Sequence, residues 1–466
     1  MVAISGNGFA IQPSGMRMKV RVDRRSRCLM IRSESTAIKL SEILALAFML
    51  LLVTDKGQLI AAQNEERSYS LPEIIGLAID KNPRPAGAIG AIDIQEGLLV
   101  QAGAYPNPSI TGRGGRGSLR DEGAFVPGTF RELPPADATE YNALFSQPLE
   151  WPPKREARRN AAQAGLEGAI VGYDETLLHL RADVKLAFWT LLSTQQSLKL
   201  AKENLSIIQN IRQTVDRRVK LGETPRFEAI KAEVEVLKAE QRVTREENNV
   251  EVSRVVLDTL TAGSLGLRYR IDGEFERLPP ALERNQLVED ALQQHPTIRR
   301  LRKVIEESGR TLDFERQARV PNLTVQGGYW RELGREAVQG GLSVPLPIWY
   351  QRQGEIASAL GTIRREEANL LRVRYDFVRQ VNQHFKDAGT AERLVGVFEK
   401  GLLRKTQIAL EMAQFSFKRG ESSLLQVLDA QRVHREIMLD YWQARHDLSI
   451  ATTQLERFVG RSLYVR

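Results

Sequence analysis

The sequence predicts a mainly helical protein, duplicated in tandem, that carries a small membrane β-sheet. Three observations predict it. Two matching turn motifs stand about two hundred residues apart, KLGETPRFEAIKA from Lys220 to Ala232 and KRGESSLLQVLDA from Lys418 to Ala430. Proline-free stretches around them are too long for a helix of one globular domain. Four short segments alternate apolar with small or polar residues.

The first 62 residues read as an export leader: a basic region, the unbroken apolar run Ile43 to Val53, a polar piece, then Ala61 and Ala62. That run is too short for a membrane helix, which needs about 20 residues. A cleaved signal is therefore expected, with a cut after Ala62 that leaves Ile60 at the minus-three position and with Met18 and Met30 as alternative starts. The leader holds nine Lys or Arg against four acids, +5 of the net +8, so the basic balance is largely its property. Cys28, the only cysteine, lies upstream of the apolar run and would leave with it, which removes thiol and disulfide chemistry from the exported chain. The composition of the whole chain, 27% charged and 6% aromatic, suits long solvated helices.

Setting residue n against n+197 places FSQPLEWPPKREARRNAA, Phe145 to Ala162, over LSVPLPIWYQRQGEIASA, Leu342 to Ala359. Further on the offset becomes 198 and the Gly-Glu turns coincide. The predicted repeats are 63–272 and 273–466. In each, a short helix leads to an Asn/His-Pro step, LAIDKNP ending at Pro83 and DALQQHP ending at Pro296. A second helix then runs to Pro106-Asn107 or Pro321-Asn322, where proline stops it. A strand pair follows, at about 107–149 and 322–345, then long helices at about 154–262 and 351–460.

No proline occurs between Pro153 and Pro225, between Pro225 and Pro279, or after Pro347, and sixty-odd helical residues reach about 100 Å. Leu198, Ala201, Leu205, Ile208, Val215 and Val219 follow the alternating three-and-four spacing of a coiled-coil seam, interrupted only by Arg212. At the turns, Gly222 and Gly420 suit the left-handed residue that ends a helix. Thr224 with Pro225 reads as N-cap and first helical residue, and Ser423 with Gln426 as a capping box.

In the strand segments, Leu323, Val325, Gly327 and Tyr329 alternate with Thr324, Gln326 and Gly328, and Val338, Gly340, Leu342 and Val344 with Gln339, Gly341 and Ser343. Tyr141, Ala143 and Phe145 alternate with Glu140, Asn142 and Ser146, and Ile110 with Ser109 and Thr111. These lengths are near those of membrane-crossing strands. Four strands cannot stand open in lipid, because their edge amides would be unsatisfied, so a barrel must be shared between chains.

GRGGRG, Gly112 to Gly117, lacks the Lys-Ser/Thr of a phosphate loop and follows the first strand, so no nucleic-acid role is expected. His179, His295, His384, His434 and His446 show no ligand spacing, so neither metal site nor cofactor is expected. No nucleophile or paired-carboxylate arrangement marks an enzyme.

The tandem halves, SQPLEWPPKREAR before its long helix, the two Gly-Glu turns and the VLDA after the second resemble the TolC-like outer-membrane factor family over about residues 70–460. Within it the chain is similar to the CzcC/CusC-type heavy-metal branch, although Pro152-Pro153 stands where that branch usually has Gly-Gly before Lys-Arg. The resemblance implies a homotrimer in which each chain gives four strands to a twelve-stranded β-barrel in outer-membrane lipid and its long helices to a periplasmic α-barrel. It implies an exit duct that passes heavy-metal cations or small toxic compounds. Its partners would be a periplasmic adaptor (membrane fusion) protein and an inner-membrane pump of the resistance-nodulation-division class. Lys220, Gly222, Glu223 and Thr224, with Lys418, Gly420, Glu421 and Ser422, become adaptor-docking tips. Asp429 becomes a candidate gate carboxylate, with Gln426 at the second gate position and Lys231 as the first-half counterpart of Asp429. A type I secretion channel, or an exported coiled-coil structural or adaptor protein without a pore, are the alternative readings.

Overall fold

The computed structural model describes residues 67–116, 139–266, 268–279, 282–332 and 335–464. The leader, its cut after Ala62 and the first hairpin connection, 117–138, lie outside these residues. After the short strand β1 (Ser68–Ser70) come helices α1 (Leu71–Lys81) and α2 (Pro83–Gly103), strands β2 (Ser109–Arg116) and β3 (Thr139–Leu149), and helices α3 (Pro152–Lys220) and α4 (Arg226–Leu260). After β4 (Arg270–Asp272) the order recurs: α5 (Arg284–Gln294), α6 (Pro296–Gln317), β5 (Leu323–Glu332), β6 (Arg335–Ser343), α7 (Gln353–Val397), a π-helical segment (Phe398–Leu402), α8 (Leu403–Arg419) and α9 (Leu424–Val459). Strands β1 and β4 pair in parallel, a contact between segments about two hundred residues apart that local alternation does not announce.

The 69 residues of α3 run without a break, about 100 Å at 1.5 Å per residue. Its second-half counterpart differs from the single helix expected from the absence of proline, because the π segment divides α7 from α8 and Gly401 takes φ 144°. The repeat offset supplies the physical reason. Buried Leu180, Val184 and Leu191 match buried Phe377, Val381 and Ala388 at an offset of 197, whereas Gly222 matches Gly420 at 198. One extra residue must be absorbed between them, and a turn of π-helix absorbs it where glycine has no Cβ to clash.

The Asn/His-Pro steps do the same two tasks in both halves. The Asn82 side chain accepts from Arg84 N (2.9 Å) to cap α2 and donates to Leu260 O (2.9 Å) at the end of α4. His295 Nδ1 accepts from Thr297 N (3.1 Å) to cap α6, so Nε2 carries the proton and donates to Arg457 O (2.9 Å) near the end of α9. Burial is the main cause that pushes the His295 pKa down to about 4. The folded chain therefore binds fewer protons than the unfolded chain below pH 6.5, and this residue's contribution to stability falls as pH drops from about 6.5 to about 4. Nearby Glu175 is half-buried, which opposes its charge, but His179, Arg300 and Thr297 bond it and bring its pKa to about 2, so its own loss comes lower, from about 4.5 to about 2. His295→Asn copies the first-half cap without a titrating ring. Melting followed from pH 7 to pH 4.5 in detergent should fall less steeply for this variant than for the parent, and equal slopes would refute the assignment.

Among the described residues four interior clusters line the helices, one of them Ala388, Ala391 and Val395 of α7 with Ala444, Leu448 and Ala451 of α9. Leu180, Val184, Phe188 and Leu191 of α3 pack with Ile74, Leu257 and Tyr269. Phe377 and Val381 of α7 pack with Leu287, Leu455 and Val459. At the far end Ile208, Ile211 and Val215 pack with Ala232, Val236, Phe417, Leu424 and Val427.

The other four strands make one antiparallel sheet in the order β2-β3-β5-β6, which leaves β2 and β6 as edges among the described residues of one chain. Register puts Ile110, Tyr141, Ala143, Phe145, Leu149, Leu323, Val325, Tyr329, Val338 and Leu342 on one face. That face is open: Ile110 is 80% exposed and Val338 85%. The opposite face carries Thr111, Asn142, Ser146, Thr324, Gln326, Gln339 and Ser343. Among the described residues no helix is long and apolar enough to cross a membrane.

Candidate functional site

The two turns are one motif built twice. Glu223 N donates to Arg218 O (2.9 Å) and Gly222 N to Val219 O (3.1 Å), while Glu421 N donates to Ser416 O (2.9 Å) and Gly420 N to Phe417 O (3.1 Å). This double closure is the Schellman pattern and needs a left-handed residue, here Gly222 at φ 78° and Gly420 at φ 84°. It leaves Lys220, Gly222, Glu223, Lys418, Gly420 and Glu421 exposed and Thr224 and Ser422 half-buried.

The second helix start is as expected. Gln426 Oε1 accepts from Ser423 N (3.0 Å), and Ser423 Oγ accepts from Gln426 N (3.4 Å). The first start differs. Pro225 keeps an extended ψ of 143° and is itself the N-cap, so α4 begins at Arg226 and Thr224 stands one residue outside. What sequence reasoning missed is Arg218, whose guanidinium lies over the Phe417 ring (4.8 Å) and donates through Nη2 to Phe417 O. It ties one turn to the other. Its second-half counterpart at offset 198 is Ser416, so the repeat gave no sign of it.

Asp429 and Gln426 are both exposed on α9. The Gln426 side chain is engaged in the cap. Asp429 Oδ1 accepts from Arg432 Nη2 (2.8 Å), and this bond holds Arg432 above its ordinary range. Around the pair lies a cleft of about 490 Å³ between α4 and α9, floored by Asn204 and Ile208 of α3. Lys231, Lys238, Arg242, Arg245, Arg432 and Arg435 line it against only Glu235 and Asp429. Burial, then the charge of Arg242, lowers the Arg435 pKa. Asp429 is thus a carboxylate set among cations, a setting assembled by three helices and not readable from its own segment.

At the opposite end, strands meet helices in an aromatic collar. Tyr105, Trp151, Trp349 and Tyr350 are exposed, Trp349 at 93%. The Arg155 guanidinium stacks over the Tyr105 ring at 3.9 Å. Exposed Trp and Tyr at the end of an apolar strand face is the pattern of a membrane interface. Among the described residues no group of three or more His, Cys, Asp or Glu could hold a metal ion.

Comparison with known proteins agrees with this geometry. Residues 75–263 and 287–461 match the family described as Outer membrane efflux protein. The cobalt-zinc-cadmium resistance protein CzcC of Cupriavidus metallidurans is 26% identical over 396 residues, 84% of this chain and 90% of the relative. The crystal structure of CusC superposes with a TM-score of 0.69 at 14% identity, covering 85% of this chain and 93% of that one. The Campylobacter jejuni CmeC outer membrane channel gives 0.69 at 14% identity, covering 84% and 85%. With its strands in the outer membrane and its long helices in the periplasm as an exit duct, the chain belongs to the outer membrane efflux protein family.

Proposed function

We propose that three copies form a passive duct for heavy-metal cations, delivered by a resistance-nodulation-division pump through a periplasmic adaptor that docks on the Gly222 and Gly420 tips. The observation that carries the duct is the four-stranded sheet: one exposed apolar face, one polar face, and two edges left unpaired among the described residues of a single chain. In lipid those edges must find partners, and three sheets of four strands close a barrel of twelve. The tips support docking because two turns closed by the same backbone bonds, tied together by Arg218, present Lys220, Glu223, Lys418 and Glu421 side by side. The metal cargo is supported by the resistance relative named above. Cargo of this kind passes without a tight binding site.

Asp429 contributes the gate, one carboxylate per copy, with Arg432 as the partner that offsets its charge. In planar bilayers the purified protein should give unit current steps, and Asp429→Ala should raise conductance or weaken cation selectivity. A water-soluble monomer without conductance would instead favour an exported coiled-coil protein. Unchanged currents in Asp429→Ala would remove the gate while leaving the duct. In cells lacking the gene, restored tolerance to cobalt, zinc or cadmium on complementation tests the cargo.

A further inference from the structure

Helix α4 carries two stripes at coiled-coil spacing. Ala232, Val236 and Ala239 are buried, the first two in the core that also holds Val215 of α3 and Val427 of α9. One residue before each of these stands a second stripe, Lys231, Glu235 and Lys238, which Arg242 and Arg245 continue at steps of four and three. All five line the cleft that faces α9. Across it α9 presents Leu425, Leu428, Arg432 and Arg435 at steps of three, four and three. Positions that carry apolar side chains in an ordinary helix seam thus hold cations on both helices.

The carboxylates present do not neutralise them. Glu235 pairs with Lys238 (2.9 Å) and Asp429 with Arg432 (2.8 Å), and Glu436, which does not line the cleft, also reaches Arg432 (3.7 Å). Among the described residues Lys231, Arg242, Arg245 and Arg435 have no ion-pair partner. Arg435 Nε is buried with no acceptor, and burial, then the charge of Arg242, lowers the Arg435 pKa against the pull of Glu235 and Glu436. A guanidinium stays charged all the same, so the cleft keeps its positive charge and the two helices repel across it.

The cleft has room for more than a single monovalent ion, at about 490 Å³. Guanidinium forks from two helices suit an anion with several oxygens, each able to accept more than one N–H. We infer that the cleft binds a soluble multivalent oxyanion of the phosphate class, which Arg242 and Arg245 of α4 and Arg435 of α9 hold between them and which ties the two helices together. Lys231 and Lys238 add charge on the α4 side. Outer-membrane headgroups are no source of the phosphate, because Asn204 on the floor stands about 80 Å along α3 from its first residue beside the strands. The cleft is also set back from the docking turns: Lys238 and Arg435 stand 16 and 15 residues from Gly222 and Gly420, about 23 Å. Its lining residues all come from one copy, so the site depends neither on the multi-copy duct nor on the Asp429 gate.

Inorganic pyrophosphate is the probe, titrated calorimetrically into the purified full chain in neutral detergent with ionic strength held constant by sodium chloride. Binding should saturate at one anion per copy and raise the melting temperature. Arg242→Gln/Arg435→Gln should lose about tenfold or more in affinity, and its melting in chloride alone should come no earlier than the parent's, since the repulsion is gone. Arg245→Gln changes an exposed side chain with little risk to folding and should weaken binding severalfold. Arg379→Gln, on α7 and paired with Asp376, should bind as the parent does. Equal affinity in parent, Arg245→Gln and the double variant would overturn the site, as would a melting shift that chloride reproduces at equal ionic strength. Binding of a hexaglutamate peptide without binding of pyrophosphate would make the cleft a protein-docking face and overturn the oxyanion assignment.

Discussion

An arginine at Phe145 is expected to remove the protein from the outer-membrane fraction, whereas an arginine at the next residue, Ser146, is expected to leave insertion intact and change the current. Phe145 pairs with Ile110 and with Gly327, which pairs with Gly340, so this row crosses all four strands near their middle on the apolar face. An arginine on the lipid face near the bilayer midplane costs roughly 2–4 kcal/mol. A barrel of three copies incurs that cost three times. Ser146 pairs with Ser109 and Gln326, which pairs with Gly341, and so lies at the same depth on the polar face. There the guanidinium stays hydrated and adds positive charge to the lumen. Membrane fractionation with a non-reducing gel reads the first effect and bilayer recording the second. Normal insertion of Phe145→Arg with failure of Ser146→Arg would invert the assignment of the faces.

Replacing Lys185 with Met is expected to cost about 3–5 kcal/mol in the helical body, because it strands two buried carboxylates. Lys185 Nζ lies 3.2 Å from Glu276 and 2.7 Å from Glu456, and all three side chains are at least four-fifths buried. Burial opposes the charge on Lys185, but Glu456 and Glu276 outweigh it and raise the pKa; burial, despite Lys185, pushes Glu276 up. Glu456 also accepts from Ser462 Oγ (3.0 Å) and Leu463 N (2.9 Å), which ties the segment after α9 to the middle of α3. Lys185→Met/Glu456→Gln should recover part of the loss, since one carboxylate in place of two ends their repulsion. Denaturant midpoints followed by circular dichroism check both, and a midpoint for Lys185→Met equal to the parent's would mean that water already screens the cluster.

The tip illustrates how far local sequence reaches. Gly222 and Gly420 were legible because a left-handed residue is a property of one position, and the Ser423–Gln426 cap because it spans one helical turn. Thr224 was misplaced by one residue, since either end of a Thr-Pro step can start a helix and backbone ψ at Pro225 decides. Arg218 and the cations around Asp429 were not legible, because α3, α4 and α9 meet there from distant parts of the chain. The break at Gly401 was half visible. The offset change from 197 to 198 counted the extra residue, but only the folded helix shows which turn holds it.

Sequence alone determined the unbroken length of α3, the two tip glycines and the two faces of each strand, because periodicity, glycine and the absence of proline act within a few residues. The tertiary structure decided the joining of β3 to β5, the pairing of β1 with β4, and the ionic setting of Lys185 and Asp429. Each of these depends on which distant segments touch, and a contact between segments about two hundred residues apart leaves no period in either one.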